Sequence, residues 1–392
     1  MRVLHAIPSL SLVHGGPSRA IRAMERALQA AGVQTVVVTT DDDGRGRVTR
    51  TLGRPVEEEG RQRIYFGRLT RLYQTAPLAL PWLWRQVKSF DVVHVHALFS
   101  FLSVAAAVAA LVRGVPYVIR PLGVLSSWGL GARRPLAKRL SLFLVERPLL
   151  RRAAAVHCTS DAEAADVLAV EPLARVEVIA LAVDPPAPRP FGEPSSRPAA
   201  EGAGKSPVVL FLSRLDAKKN LEALLDAWPQ VRSMCPDVVL RVAGTGEAAY
   251  VDALRRRAKD LCLEEPGLVW LGHVDGAAKS DAFAAADLFV LPSHAENFGI
   301  AAAEALAHGV PCLLSPGVAL SQEVVAAGAG AVCSPEAAAL AAAIIDLLHA
   351  PARRAEMRQR ARAFARERLS PERMAARLVK LYGDVARYKS AA

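Results

Sequence analysis

Two carboxylates eight positions apart, Glu296 and Glu304, mark the stretch of residues 287–310 as the most suggestive of chemistry. Within it, the apolar run Leu288–Leu291 has the length of a buried strand. A polar loop with Glu296 follows, and an Ala-rich helix that contains Glu304 begins near Gly299. Unpaired N–H groups and the helix dipole attract anions to such a helix start. A ligand with phosphate for the helix end and hydroxyls for the carboxylates, as in a sugar nucleotide, fits this pattern. Two solvated glutamates are the alternative.

Two cations follow another predicted strand, Val208–Leu212. Arg214 comes directly after this strand, and Lys219 stands near the start of the next helix. Arginine can bind a diphosphate through two parallel hydrogen bonds, and lysine binds it as a point charge. The pair therefore suits a diphosphate at the carboxyl edge of a sheet, although a solvated loop would also carry such charges.

The N-terminus predicts the beginning of a parallel sheet. Val3–Ile7 and Val36–Thr39 have strand patterns, and a helix between them extends to about Ala31. Gly15 and Gly16 precede this helix and permit a ligand to approach the backbone closely. The chain contains no G-x-G-x-x-G motif, so a dinucleotide-dependent oxidoreductase is not supported.

Histidines close a further predicted strand, Asp91–His96. His94 and His96 share one face of this strand because side chains alternate along it. Open α/β sheets bind ligands at the carboxyl ends of their strands, which is where both residues stand. Contact with a ligand is one interpretation, and burial in the core with satisfied hydrogen bonds is the other.

The segment S-H-A-E-N-F-G-I-A-A-A-E-A-L-A-H-G-V-P, with its E-x7-E spacing, resembles the signature of retaining glycosyltransferases of family 4, which have the GT-B fold. The resemblance covers nearly the whole chain and is strongest from about Val208 to Val332. It implies an α/β fold of two Rossmann-like domains facing across a cleft, with a C-terminal helix crossing back to the first domain. It also implies transfer of a sugar from a UDP- or GDP-linked donor to a hydroxyl, with retention of anomeric configuration.

The same resemblance assigns roles to individual residues. Arg214 and Lys219 would hold the diphosphate and neutralise the leaving group, and Glu296 would contact the sugar hydroxyls, which makes these three the catalytic candidates. Glu304 would hold the ribose. The remaining candidates for donor binding are Gly15, Gly16, His273, Val274, Phe298, Gly299 and Ile300. No cofactor and no metal are expected, because two cations can neutralise a diphosphate.

One loop departs from the family pattern. Many similar enzymes have a histidine after the strand predicted here over Val115–Ile119, often as P-H-G, whereas this chain has Leu122 in R-P-L-G. Arg120 is the candidate substitute, and it joins His94 and His96 as a predicted acceptor-binding residue. In the front-face mechanism that the family implies, the leaving phosphate accepts the acceptor's proton, so no protein base is obligatory.

Length and composition favour two ordered domains. The chain has 392 residues, of which 52% are hydrophobic and 22% charged. We predict an N-terminal acceptor-binding domain over 1–183, a Pro/Gly-rich linker over 184–207, a nucleotide-sugar-binding domain over 208–370 and a C-terminal helix over 371–392. The five scattered cysteines form no metal or disulfide pattern and suit a reducing compartment.

The net charge of +11 indicates anionic partners, either phosphate-bearing ligands or an anionic membrane, with no nucleic acid expected. Residues 131–152 alternate basic and apolar side chains around a single acid, Glu146, which is typical of a helix lying on anionic lipid or of a solvated helix. No membrane-spanning helix is predicted. We expect a cytoplasmic enzyme, peripheral on the membrane, that assembles exopolysaccharide or lipopolysaccharide on a glycan or lipid-linked acceptor. A sugar-nucleotide epimerase or hydrolase and a non-catalytic sugar-binding scaffold are the alternatives.

Overall fold

The computed structural model describes residues 1–44, 46–70, 73–131, 135–186 and 206–388. The chain divides into two compact units. The first comprises Met1–Ala182 with Pro371–Ala392, and the second comprises Val183–Ser370. Most of the linker predicted over 184–207 lies outside the described residues.

Each unit contains one large, mainly parallel sheet. The strands are β1 (Arg2–Ala6), β2 (Gln34–Thr40), β3 (Asp42–Asp43), β4 (Gly46–Arg47), β5 (Pro55–Glu58), β6 (Arg61–Phe66), β7 (Val92–His96), β8 (Tyr117–Arg120), β9 (Ala155–Cys158), β10 (Val176–Val178), β11 (Val208–Leu212), β12 (Val239–Ala243), β13 (Leu268–Gly272), β14 (Leu288–Leu291), β15 (Cys312–Leu314) and β16 (Gly330–Val332). Valine and leucine runs form the central strands because these strands are buried on both faces.

The helices cover the two sheets. They are α1 (Gly16–Ala30), α2 (Ala79–Gln86), α3 (Phe101–Val112), α4 (Ser127–Gly131), α5 (Pro135–Ser141), α6 (Arg147–Arg152), α7 (Asp161–Val170), α8 (Leu221–Met234), α9 (Ala248–Asp260), α10 (Gly276–Ala285), α11 (Ile300–Ala307), α12 (Ser321–Ala326), α13 (Ala337–Leu348), α14 (Pro351–Arg368) and α15 (Pro371–Tyr388).

Strand order reverses once in each sheet. The first sheet has the order β10-β9-β8-β7-β1-β2-β6-β5, and the second has β13-β12-β11-β14-β15-β16. Among these pairs only β5 and β6 are antiparallel. The chain therefore leaves in opposite directions from β1 and β7, and from β11 and β14. The loops after such neighbouring strands diverge and leave a crevice, where open α/β sheets bind ligands.

Helix α15 packs on the first sheet beside α1. Its residues Leu378 and Tyr382 are buried in one cluster with Ile21 and Met24 of α1. Fully burying an apolar side chain of this size is worth about 1.5–3 kcal/mol. The last helix is thus an integral part of the first unit's core.

The predicted α/β fold is confirmed, and strands Val208–Leu212 and Leu288–Leu291 have the predicted bounds. One helical prediction needs correction. The basic stretch 131–152 is not one regular helix, since Leu142–Glu146 is a π-helical segment between α5 and α6.

Candidate active site

Glu296 and Lys219, from the loops after β14 and β11, form an ion pair at the crevice of the second sheet. Their side chains are only 16% and 11% exposed. Ser293 donates a hydrogen bond of 3.4 Å to the same carboxylate oxygen. Removing one member of a largely buried ion pair leaves an uncompensated charge, so each residue depends on the other.

Backbone hydrogen bonds hold these two loops in place. The His294 N–H donates to the Lys218 carbonyl at 2.9 Å, and the Glu296 N–H donates to the Gly317 carbonyl at 2.8 Å. Asn220, which has a left-handed φ of 56°, donates from Nδ2 to the Pro292 carbonyl at 3.3 Å. The ion pair therefore stands on a cross-linked backbone frame.

A group of cations surrounds this pair. Arg214 is exposed directly after β11, and Lys218 is partly buried one residue before Lys219. Burial lowers the pKa of Lys218, with the charges of Lys219 and Arg214 acting in the same direction and Glu296 opposing them. Such a set of cations favours an anion, and a diphosphate would relieve the repulsion among them. The sequence prediction missed Lys218, since the family resemblance pointed only to its neighbours.

Glu304 has a separate partner. Its carboxylate accepts a hydrogen bond of 2.6 Å from Lys279 Nζ of α10, and both side chains are less than 20% exposed. Lys279 is 25 residues away from Glu304 in sequence, so the spacing of residues along the chain could not predict this pair. The structure thus brings Glu296 together with Lys219. It pairs Glu304 with Lys279, which was not among the predicted site residues.

The helix start between these acids matches the predicted position. Gly299 caps α11 with a left-handed φ of 91°, and Ile300 is the first helical residue. A Cβ on Gly299 would lie 2.9 Å from Val318 Cγ1, so glycine suits both the conformation and the space. The Phe298 side chain is buried in the core. Any contact of Phe298 with a donor would therefore involve its backbone.

His273 and Val274 follow β13, the edge strand of the same sheet. The exposed His273 lies 3.7 Å from Asp275 through Nε2 and Oδ2. Gly272 before them has a φ of 65°, and its carbonyl accepts a hydrogen bond of 2.7 Å from the Gly244 N–H. Both residues are at the carboxyl edge of the sheet, although β12 separates their strand from β11.

The glycine pair stands in the first unit, after β1. Gly15 has a φ of 72° and precedes α1, which begins at Gly16. A Cβ on Gly15 would meet no atom within 4 Å, so its conformation rather than crowding favours glycine there.

The three predicted acceptor-binding residues are inside the first unit. His94 and His96 are 0% exposed and Arg120 is 2% exposed. His94 Nδ1 lies 2.7 Å from the Tyr382 hydroxyl, and His96 Nε2 lies 2.9 Å from His5 Nδ1. This burial argues against direct contact with an acceptor and matches the core position of the alternative interpretation. The hydrogen bonds are not all satisfied, because His96 Nδ1 and the Nε and Nη1 atoms of Arg120 are buried without a partner among the described residues.

Burial also controls the titration of this cluster. It lowers the pKa of His5 and of His157 to about 3, with the positive charge of Arg120 acting in the same direction. The pKa values of His94 and His96 are lowered well below the usual value for the same main reason.

Three of these imidazoles, His5, His94 and His96, have ligand nitrogens within 4.8 Å of one another. Their number would suit a transition metal. The Arg120 guanidinium opposes a cation there, however, because its positive charge already acts to lower the pKa of all three histidines. The residues therefore fit a metal poorly.

Leu122 lies in the loop after β8 where the family resemblance led us to expect a histidine. It has a left-handed φ of 64°. The N–H of the next residue, Gly123, donates a hydrogen bond of 2.7 Å to the buried carboxylate of Glu163. The same carboxylate accepts a hydrogen bond of 2.7 Å from the N–H of Thr159, just before α7. The loop is thus held in a strained conformation by a buried acid.

The basic stretch presents an apolar face to solvent. Four large apolar side chains of α5 and the π-helical segment are 60–78% exposed: Leu136, Leu140, Phe143 and Leu144. Lys138, Arg139, Arg147 and Arg151 belong to the same stretch. Arg133 and Arg134 of this stretch lie outside the described residues. No helix in the described part of the chain is both long and apolar enough to cross a bilayer.

The chain has the GT-B fold of glycosyltransferases. Its two units each contain a mainly parallel sheet, and charged loops follow the strands where the order of the second sheet reverses. Sucrose-phosphate synthase from Thermosynechococcus elongatus has a similar structure, with a TM-score of 0.80, 21% identity and coverage of 99% of this chain and 100% of that one. Anabaena HepE in complex with UDP and glucose gives a TM-score of 0.75 at 20% identity, covering 98% of this chain and 100% of that one.

Residues 193–364 of the chain belong to the family of group 1 glycosyl transferases, and residues 15–182 belong to the glycosyl transferase 4-like domain family. A similar relative is a GDP-mannose-dependent phosphatidylinositol monomannoside mannosyltransferase of Corynebacterium glutamicum, 32% identical over 183 residues. That match covers 45% of this chain and 47% of the relative. The chain thus spans about half the length, or less, of the curated relatives it matches.

Proposed function

We propose that this protein is a glycosyltransferase that moves a hexosyl group from a nucleoside diphosphate sugar to a hydroxyl of a glycan or lipid-linked acceptor. The ion pair between Lys219 and Glu296, set among further cations at the crevice of the second sheet, is the observation that carries the proposal. It places a cation for a phosphate and a carboxylate for a sugar hydroxyl at adjacent positions.

The donor's charged part would bind the cations. Arg214 would hold the diphosphate bidentately, while Lys218 and Lys219 would act as point charges. As the bond from the anomeric carbon to the diphosphate oxygen breaks, negative charge grows on that oxygen. Preorganised cations stabilise such charge and supply much of the catalysis in enzymes of this kind. We propose for this reason that the reaction needs no metal.

The donor's hydroxyls would bind the two acids. Glu296 would accept hydrogen bonds from the transferred sugar, and Lys219 would turn from this carboxylate towards the phosphate as the donor enters. Glu304 would accept from the ribose hydroxyls, with Lys279 holding its carboxylate in place. The acceptor oxygen would attack on the face that the diphosphate leaves, which retains the anomeric configuration.

GDP-mannose and UDP-glucose are the donors that we would test first, because one relative uses GDP-mannose and one structural neighbour holds UDP and glucose. The same relative acts on a phosphatidylinositol mannoside, which favours a lipid-linked acceptor. We propose a role in assembling a cell-surface polysaccharide or glycolipid.

The exposed apolar and basic surface of α5 and the π-helical segment supports membrane association. Phe143 and Leu144 are 68% and 60% exposed, and Lys138 and Arg139 precede them in sequence. Apolar side chains can enter the lipid interface while the cations contact anionic headgroups. We propose that this surface holds the enzyme on the cytoplasmic face of a membrane near its acceptor.

Thermal-shift measurements with UDP and GDP will identify the nucleotide, and transfer of radiolabelled glucose or mannose to octyl glycosides or phosphatidylinositol will test the reaction. We expect Lys219→Met and Glu296→Gln to lower transfer by about 100-fold or more. Lys259→Met, which changes an exposed lysine of the same unit, is the control. Variants of the ion pair that transfer sugar at the parent rate would refute its role. Donor turnover that is independent of any acceptor would indicate a hydrolase or epimerase.

A further inference from the structure

The guanidinium at the end of β8 is buried without a hydrogen-bonded acid in the described part of the chain. Arg120 is the last residue of β8, and only 2% of it is exposed. Its Nε and Nη1 atoms are buried and have no hydrogen-bond partner there. A buried charge is costly unless a group of opposite charge pairs with it. The position therefore favours an anion.

The acid whose charge acts on Arg120 is bonded to other donors. Burial lowers the pKa of Arg120 to about 10, and the charge of Glu163 acts in the opposite direction. Glu163 Oε1 accepts a hydrogen bond of 2.7 Å from the Gly123 N–H. Its Oε2 accepts from the N–H and the hydroxyl of Thr159, at 2.7 and 2.9 Å. Arg120 thus stays protonated at neutral pH, and its Nε and Nη1 do not bond to Glu163.

Two of the neighbouring histidines have both ring nitrogens bonded. The Ile179 carbonyl can only accept, so His157 Nε2 carries a proton and donates to it at 2.9 Å, which leaves His157 Nδ1 as an acceptor. His94 Nε2, 3.4 Å from His157 Nδ1, is then the donor of that contact. His94 Nδ1 accepts from the Tyr382 hydroxyl at 2.7 Å. This chain of hydrogen bonds satisfies two neutral imidazoles.

The other two histidines leave one N–H and one lone pair unused. His5 Nδ1 lies 2.9 Å from His96 Nε2, and both imidazoles are neutral because burial lowers their pKa values. One nitrogen of this contact donates and the other accepts. The outer nitrogens, His5 Nε2 and His96 Nδ1, are buried without a partner among the described residues. In either tautomer, one of these outer nitrogens carries a proton.

The unused donors project from one face of the first sheet. His96 of β7 and Arg120 of β8 are directly paired in the strand register, so their side chains are neighbours on the same face. The His5 ring stacks on that of His96, with the centroids 5.2 Å apart. A guanidinium beside an imidazole N–H repels cations and attracts anions. Because His5 and His96 are 0% exposed, a single small ion suits this position better than the charged group of a glycan or lipid.

We propose that the core of the first unit binds one chloride ion between an N–H group of Arg120 and the Nδ1–H of His96. The ion would neutralise the buried guanidinium and select the tautomer in which His5 Nδ1 donates to His96 Nε2. Because an ion that binds only the folded chain stabilises it, the stability of the first unit would rise with chloride concentration. This inference does not depend on the proposed transferase function.

Thermal unfolding of the full chain at pH 8, in sodium chloride or in sodium gluconate of equal ionic strength, will test the site. At this pH the histidines are neutral in both the folded and the unfolded chain, so their protonation does not contribute. Chloride at about ten times its Kd should raise the unfolding temperature of the first unit by about 3 °C, and bromide should act similarly. Equal unfolding temperatures in chloride and gluconate would overturn the proposal.

A variant and a diffraction experiment locate the ion. Arg120→Met keeps a long apolar side chain without the charge, and the difference between chloride and gluconate should disappear in it. His157→Gln, at a histidine whose ring nitrogens are both bonded, is the matched control and should keep the difference. A chloride effect that persists in Arg120→Met would refute the site. If Arg120→Met does not fold, crystals of the parent chain grown with sodium bromide decide: an anomalous peak is expected beside Arg120 and His96, and a map without that peak would refute the site.

Discussion

Acidification should destabilise the first unit through its buried histidines. His5 and His157 have a pKa of about 3 in the folded chain because of burial and the charge of Arg120. The pKa of an unfolded histidine is about 6.5. The unfolded chain therefore binds more protons than the folded chain below pH 6.5, so stability is complete above that pH and falls as pH decreases towards 3.

The size of this effect follows from the two pKa values. Between pH 7 and pH 5, each histidine that remains neutral in the folded chain costs about 2 kcal/mol of unfolding free energy. His5 and His157 together cost about 4 kcal/mol. His94 and His96 add to the loss, since their pKa values are lowered in the same direction. A loss of this size is a large fraction of the stability of an ordinary domain.

Urea unfolding at pH 7, 6 and 5, followed by circular dichroism, will measure the effect. His157→Gln is the informative variant, because glutamine can keep the hydrogen bond of 2.9 Å that Nε2 makes to the Ile179 carbonyl. Between pH 7 and pH 5, the unfolding free energy of the variant should fall by about 2 kcal/mol less than that of the parent. His273→Gln, at an exposed histidine, should behave like the parent. An identical pH dependence in His157→Gln and the parent would refute the assignment of neutral, buried imidazoles.

Three other predictions concern the site and the surface. Lys279→Met should weaken binding of the preferred nucleotide about tenfold in calorimetry, because it leaves Glu304 partly buried without its cation; an unchanged Kd would contradict this role. Phe143→Ser should reduce sedimentation with phosphatidylglycerol vesicles, most clearly at high salt, where screening weakens the contribution of the basic residues and the apolar contact matters most; equal sedimentation would exclude the proposed membrane surface. Gly244→Ala should lower the unfolding free energy by about 1–3 kcal/mol more than Gly272→Ala. Both glycines have positive φ, but only at Gly244 would a Cβ meet a backbone atom, at 1.8 Å; equal losses in urea unfolding would show that crowding is unimportant.

The sequence was sufficient to predict the two strands beside the candidate site and which charged residues follow them. The runs Val208–Leu212 and Leu288–Leu291 are apolar throughout, because strands buried on both faces need no polar side. Arg214, Lys219, Glu296 and Gly299 all lie within eight residues after the ends of these strands. Their positions at a sheet edge are therefore set by local sequence, which explains why they could be predicted.

The exposure of the histidines needed the folded chain. His94 and His96 close a strand like many ligand-binding residues, and their own neighbourhood in sequence does not show that Tyr382 covers His94 from the last helix. These two residues are 288 positions apart. Burial by so distant an element decides between a ligand contact and a core residue.

What the sequence by itself determined was the class of fold and the types of charged residue at each strand end, because both depend on short-range patterns. What only the tertiary structure decided was how these charges are paired: Lys219 with Glu296, and Glu304 with Lys279. Each pair joins different strands or helices. Such contacts depend on strand order and helix packing, which no spacing along the chain encodes.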